Sequence, residues 1–174
     1  MNIERLKRTS SLFSVASLII AVLLLVAVVA VVVAGLTVAF SDSLMNRLQE
    51  EIAPETFVRN DIYLLVAAAC MCIPLIALMF FLAHKLFGNV NASGTPFSDD
   101  NVRILKLVSY LMIILAVVSI AAEGMVVFNS SWASDAVQLG GGGFILIVMA
   151  VLFYFMAHVF EYGAALQKES DETL

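Results

Sequence analysis

Two histidines, two cations and one carboxylate near the ends of long apolar segments form the best candidate site in this sequence: His84, Arg103, Lys106, His158 and Glu161. His158 and Glu161 are three residues apart, which places them on one face of a helix and is a spacing that metal sites in helical bundles use. Arg103 and Lys106 also project to one helix face, so an ion pair from either cation to Glu161 is sterically reasonable.

Three interpretations of this polar cluster compete. The first is a latch, in which charges at helix ends pair and fix the bundle, because polar groups in a membrane seek one another. The second is a pH or metal sensor on His84 and His158, with Glu161 as a third ligand or counter-charge, since imidazole titrates near neutrality and binds zinc or copper. The third is a proton-coupled or small-molecule pathway. We favour the latch and expect neither a bound metal nor a cofactor.

Glu123 is an ionisable residue inside an apolar segment, which by default marks a functional site in a membrane protein. It lies beside Gly124 near the outer end of its segment. We expect its carboxylate to reach the outer interface or to meet Arg59, and in the pathway interpretation it is the outer end of the route. The centres of the apolar segments are almost wholly Val, Leu, Ile, Ala and Met, which disfavours transport.

Four apolar segments must position these side chains: 12–40, 62–87, 104–128 and 144–165. Each exceeds the roughly 20 apolar residues that a helix needs to cross a bilayer. Hydrophobic residues make up 62% of the 174-residue chain and charged residues 13%, and the mean hydropathy is +1.02. The sequence therefore predicts an all-α polytopic membrane protein, with one domain over residues 1–174 that is a bundle of four transmembrane helices.

The distribution of Lys and Arg predicts how the bundle is oriented. Cations precede the first segment, flank the middle loop and follow the fourth segment, whereas the first loop contains only Arg47 and Arg59. Because cytoplasmic loops retain positive charge, both termini and the middle loop are expected in the cytoplasm. The lipid bilayer is thus the first partner. No basic patch indicates direct nucleic-acid binding.

The loops carry helix-end signals. Apolar residues recur at helical spacing in the first loop, at Leu44, Met45, Leu48 and Ile52, and Pro54 follows as a stop. This pattern predicts a short helix that either lies on the outer leaflet or packs on the bundle. Asn60 or Asp61 is expected to cap the second span. Residues 88–96 are predicted to form a turn-rich loop, after which Ser98 caps the third helix with Asp99 and Asp100 in its first turn.

The fourth segment concentrates its small and polar residues on one side. Projected at 100° per residue, these positions share a face: Gly140, Gly143, Ile147, Tyr154, His158, Glu161 and Ala165. We expect this face to point into the bundle, because glycines permit close helix approach and polar groups avoid lipid.

Two stretches resemble the family called domain of unknown function 2975: Pro96–Val102, which leads into the third span, and His158–Gly163, which is followed by the acidic ending Gln167–Leu174. The four-span layout is similar as well. The resemblance implies a bacterial inner-membrane protein without an established activity, often encoded beside a small helix-turn-helix regulator of the Cro/repressor type. It supplies no catalytic residues.

Our leading hypothesis is a non-enzymatic regulatory or sensory membrane protein that acts on such a DNA-binding regulator. The candidate partner-binding tail contains Lys168, Glu169, Asp171 and Glu172. An acidic tail attracts a basic protein by charge complementarity. No protease, hydrolase or redox motif favours an enzyme. The alternative is a small transporter or channel subunit with a proton- or metal-responsive polar cluster, working as a homo-oligomer because four helices enclose little room.

Overall fold

The computed structural model describes residues 3–51, 58–129 and 141–172, and these residues form five helices and no strand. The helices are α1 (Ile3–Phe40), α2 (Asp42–Glu51), α3 (Arg59–Ser93), α4 (Asp99–Asn129) and α5 (Gly141–Glu172). All but α2 are long and apolar enough to cross a membrane. The predicted all-helical fold with four spans is confirmed, and every long helix extends beyond its predicted apolar segment.

The long helices pack in chain order. α1 packs against α3, α3 against α4, and α4 against α5. The bundle is therefore an open row in which α3 and α4 have a neighbour on each side and α1 and α5 form the two edges. We call the end of the row that holds residues 94–98, the start of α1 and the end of α5 the loop end.

Small residues bring α1 and α3 together. Toward the loop end, α1 buries four small residues at its contact with α3: Ser10, Ser14, Ser17 and Ala21. At the other end a Cβ added to Gly35 would collide with Cγ2 of Val66 on α3. In lipid no hydrophobic effect drives helices together, so close van der Waals contact between small residues supplies the attraction.

The first loop forms the short helix α2, as predicted, and the helix packs on the α1–α3 pair. Met45 is buried in a cluster with Ala39 and Ile62. Ile52 and Pro54 lie outside the described residues. The expected cap of α3 is wrong: the N-cap position is Val58, and the carboxylate of Asp61 in the first turn accepts the Val58 backbone N–H at 2.8 Å.

The connection between α3 and α4 is shorter than predicted. Residues 88–93, expected as a turn-rich loop, continue α3. The helix continues because Val90 is buried and Asn89 bonds to α4, so tertiary packing overrides the turn propensity of Gly and Asn. Gly94 ends α3 in the left-handed conformation (φ 72°), which glycine adopts without steric penalty, and its N–H donates to the Val90 carbonyl at 2.9 Å.

Candidate functional site

Three members of the predicted polar cluster meet at the α4–α5 contact. The Nζ of Lys106 donates a hydrogen bond to Oε2 of Glu161 at 2.9 Å. The Nδ1 of His158 lies 3.1 Å from the same oxygen. Because a carboxylate oxygen only accepts, Nδ1 carries a hydrogen in this contact. One carboxylate therefore accepts from two donors on two helices, which is the geometry that the latch interpretation predicts. That this contact fixes the bundle stays a prediction.

His84 and Arg103 do not join this group. The His84 ring faces α1, where Nδ1 lies 2.9 Å from Oγ and 3.0 Å from the carbonyl oxygen of Ser14. The Ser14 hydroxyl also donates to the His84 carbonyl at 3.1 Å. Arg103 is exposed on α4, and its guanidinium takes part in none of the ion pairs formed within the described ranges. These ranges also hold no group of three His, Cys, Asp or Glu side chains arranged to bind a metal.

The face of α5 that points into the row differs from the predicted one. Gly143, Ala150 and Ala157 are buried against α4, whereas the predicted residues Ile147, Tyr154, His158, Glu161 and Ala165 are exposed. A Cβ added to Gly143 would lie 2.5 Å from Cγ1 of Ile120, so the smallest side chains set the contact surface. Among the described members of the predicted set, Gly143 alone is buried in the interface, and Gly140 lies outside the described residues.

The polar side chains of α5 lie along the edge of the α4–α5 contact. The rings of Tyr154 and His158 meet edge to face with centroids 4.8 Å apart. The Tyr154 ring lies 6.2 Å from that of Tyr110 on α4. We call Tyr110, Tyr154 and His158 the polar ladder. It extends from the middle of α5 to the Lys106–Glu161 pair, and it is accessible from outside the row.

The loop between α3 and α4 is interlocked with α5. The Phe97 ring packs edge to face on Phe160, with centroids 5.3 Å apart. A Cβ added to Gly163 would lie 2.6 Å from Cδ1 of Phe97, so only glycine at this position admits the ring without displacement. The Thr95 hydroxyl donates to Oε1 of Gln167 at 2.9 Å. The two stretches that carried the family resemblance therefore contact each other.

A buried asparagine fixes the same loop from the other side. Asn101 is fully buried in the first turn of α4. Its Oδ1 accepts a hydrogen bond from Nδ2 of Asn89 at 3.0 Å, and its Nδ2 donates to the Pro96 carbonyl at 3.0 Å. The Asn101 N–H donates to Oγ of Ser98 at 3.3 Å, so Ser98 caps α4 as predicted. The sequence carries no local signal for this pair, because each asparagine lies among other polar and turn-forming residues, Gly88 to Ser93 for Asn89 and Ser98 to Arg103 for Asn101.

The loop end displays acidic side chains on two helices. Asp99 and Asp100 are exposed at the start of α4. The predicted tail is not a separate segment, because α5 continues as a helix through Lys168 and Glu169 to Glu172. Lys168, Glu169 and Glu172 are exposed. Asp171 is part of the same helical turn, and residues 173–174 lie outside the described residues.

Glu123 lies beside α5, near the far end of the row. Its Oε1 is 3.9 Å from the position that a Cβ on Gly142 would occupy. Arg59, the partner expected for it, pairs instead with Asp42 at the start of α2. The expected Glu123–Arg59 contact is therefore wrong, because α2 brings a nearer carboxylate to Arg59.

An apolar cleft of about 590 Å³ opens between α3, α4 and α5. Only apolar side chains line it, among them Met79 of α3, Met112 of α4 and Phe153 of α5. The polar ladder borders a different part of the surface, since its tyrosines and His158 do not line the cleft. The cleft therefore offers a ligand no hydrogen-bonding group.

The fold and the site together define a polytopic helical membrane protein in which the α3–α4 loop packs on α5 and an ion pair, Lys106–Glu161, joins α4 to α5. The chain belongs to the DUF2975 family, described as a protein of unknown function, whose model matches residues 43–174. The match covers nearly all of α2, all of α3 to α5, and both motif stretches. No curated protein and no solved structure matches the chain.

Proposed function

We propose that this is a non-enzymatic regulatory protein of the bacterial inner membrane, and that its loop end binds a small soluble helix-turn-helix regulator. The supporting observation is that two helices expose carboxylates at the loop end, Asp99 and Asp100 at the start of α4 and Glu169 and Glu172 at the end of α5, which we call the acidic surface. DNA-binding proteins carry basic surfaces, and charge complementarity speeds and orients their association with an acidic one.

The contacts between the α3–α4 loop and α5, which we call the interlock, favour binding because they fix the carboxylates of α4 relative to those of α5. Phe97 against Gly163, and Thr95 against Gln167, tie the α3–α4 loop to the last turns of α5. A preorganised surface loses less conformational entropy on binding than a flexible tail does. The excess of Lys and Arg at this end favours a cytoplasmic position for the surface, and a DNA-binding protein would reach it there.

Transport has less support from the geometry. The cleft between α3, α4 and α5 is lined only by apolar side chains. The polar ladder lies at the edge of the helix row, and Glu123 lies near the other end. A route for a proton or a polar solute needs polar groups near the midplane of the bilayer.

The test measures binding of a purified small helix-turn-helix regulator, chosen as the product of an adjacent gene, to the full chain in nanodiscs at low and at high salt. We expect each of four single neutralisations to weaken binding by a factor of about 1.4 to 5, since an exposed ion pair contributes roughly 0.2–1 kcal/mol. The four are Asp99→Asn, Asp100→Asn, Glu169→Gln and Glu172→Gln. Glu50→Gln is the matched control, because Glu50 is an exposed carboxylate of α2 at the opposite end.

Added salt should weaken the complex, since exposed charges are screened. The proposal is refuted if the regulator does not bind at low salt. It is refuted equally if binding is unchanged by all four neutralisations, because the acidic surface would then not be the contact.

A further inference from the structure

Each edge helix of the row has an outward face that no other described helix covers. On α1 an apolar stripe with seven-residue spacing points away from α3, and its members are all more than half exposed: Leu12, Ile19, Val26 and Val33. On α5 a second stripe points away from α4 and includes Val148, Phe155 and Tyr162. The named members span residues 12–33 of α1 and 148–162 of α5.

We propose that these two faces bind each other between copies of the chain, so that α1 of one copy packs against α5 of the next in a head-to-tail assembly. The observation that selects this pairing is the charge at the loop end of each edge helix. α1 begins with exposed Arg5, Lys7 and Arg8. α5 ends with exposed Glu169 and Glu172.

The charges distinguish the three ways in which two edges can meet. Arg5 continues the seven-residue spacing of the α1 stripe, and Glu169 continues that of the α5 stripe. An α1–α1 contact therefore brings Arg5 against Arg5, and an α5–α5 contact brings Glu169 against Glu169. Only the α1–α5 contact joins opposite charges, and like charges placed together exclude the wrong partner. Van der Waals packing of the stripes supplies the attraction in lipid, while the charges set which edge is chosen.

The heights of the charged groups match. Three steps across the row relate the heights of α1 and α5. Ser14 bonds to His84, Leu82 shares a buried cluster with Val108 of α4, and Lys106 bonds to Glu161. From Ser14, Arg5 lies nine residues, or about 14 Å, farther toward the loop end. From Glu161, Glu169 lies eight residues, or about 12 Å, in the same direction. The two edges also run antiparallel, since α1 begins and α5 ends there.

A contact between two different surfaces is heterologous, so it generates a closed ring if the rotation per copy closes and an open array if it does not. Because Glu169 and Glu172 belong both to this contact and to the proposed regulator surface, a neighbouring α1 and the regulator exclude each other there. The assembly itself does not depend on the regulator, so it is tested with this chain alone.

The experiment mixes two singly substituted copies in a background that lacks Cys70 and Cys72. One copy carries Ile19→Cys on α1 and the other Phe155→Cys on α5, positions of equal height on the two outward faces. Co-expressed and treated with an oxidant in membranes, the mixed copies are expected to cross-link to a heterodimer. Each copy expressed alone should remain monomeric on a denaturing gel.

Charge reversal gives an independent readout by co-purification of two differently tagged copies. Glu169→Lys with Glu172→Lys in both copies should reduce recovery several-fold. Recovery should return in part when Arg5→Glu and Arg8→Glu are added. The matched control is Asp99→Lys with Asp100→Lys, which reverses two carboxylates at the same end on the central helix α4. It should leave recovery of the second copy unchanged while weakening binding of the regulator.

Two results would overturn the inference. Cross-linking of Ile19→Cys copies to one another, with none to Phe155→Cys, would show a twofold α1–α1 contact instead. Recovery that falls equally with the α4 and the α5 reversals would show a general charge effect and no preference of α1 for α5.

Discussion

The effect of Gly163→Ala on the free energy of unfolding should depend on the residue at position 97. The substitution should destabilise the native chain, which has Phe97, and should stabilise a chain with alanine at that position. In the native chain the new methyl group would lie 2.6 Å from Cδ1 and 2.9 Å from Cε1 of Phe97, well inside van der Waals contact. The ring must therefore move, and overpacking of this kind costs about 1–3 kcal/mol. Moving the ring also weakens its edge-to-face contact with Phe160, which contributes about 0.5–1.5 kcal/mol.

An opposing term comes from the helix itself. Gly163 lies inside α5, where alanine is about 1 kcal/mol more favourable than glycine. Gly163→Ala is thus expected to lower the stability of the native chain by about 1–2 kcal/mol. In a Phe97→Ala background the collision is absent, and the same change should raise stability by about 1 kcal/mol.

Thermal unfolding of the four proteins in one detergent or nanodisc measures this double-mutant cycle. For a chain of this size 1 kcal/mol corresponds to a shift of about 2–4 °C in Tm, so the two effects of Gly163→Ala should differ by several degrees. If Gly163→Ala raises Tm equally with phenylalanine or alanine at position 97, Phe97 does not occupy the space above Gly163 and the interlock described here is wrong.

Three further predictions concern other contacts. Gly35→Ala should lower Tm because its methyl group collides with α3, whereas Gly124→Ala, with no atom within 4 Å of the new Cβ, should leave Tm unchanged or raise it; equal shifts would contradict the packing of α1 on α3. Asn101→Leu should destabilise by about 1–3 kcal/mol, because its partners lose their hydrogen bonds in a buried site, and a chemical-denaturation midpoint that stays constant would argue against that network. Glu161→Lys should lower Tm through repulsion from Lys106, and Lys106→Glu in the same chain should restore part of the loss; absence of any restoration would mean that the two side chains do not pair.

The fold follows from the sequence at the level of helix number because lipid leaves few alternatives. Apolar segments longer than a bilayer must be helical, and the four long helices appear where the segments predicted them. Local chemistry also sufficed for the Ser98 cap of α4. The Lys106–Glu161 contact was foreseen because charges of opposite sign lay at the same end of adjacent spans.

Packing details did not follow from local pattern. The polarity of Tyr154 and His158 predicted that their side of α5 faces the bundle. In lipid the smallest side chains allow the closest approach of two helices, so the buried side of α5 contains Ala150 and Ala157 instead. Gly88 and Asn89 favour a turn by intrinsic propensity, and that propensity does not include their contacts with the neighbouring helix. The contact of Phe97 with Gly163 joins residues far apart in sequence, and no local periodicity records it.

The chain-order packing of the row bears on how the protein is made. Each long helix makes its main contacts with the helices immediately before and after it in the sequence, apart from short α2. A chain emerging from a ribosome can therefore complete the α1–α3 hairpin before α4 has been synthesised, and add each later helix to an edge that is already in place. Assembly by successive addition also leaves the last-made helix at the rim of the molecule.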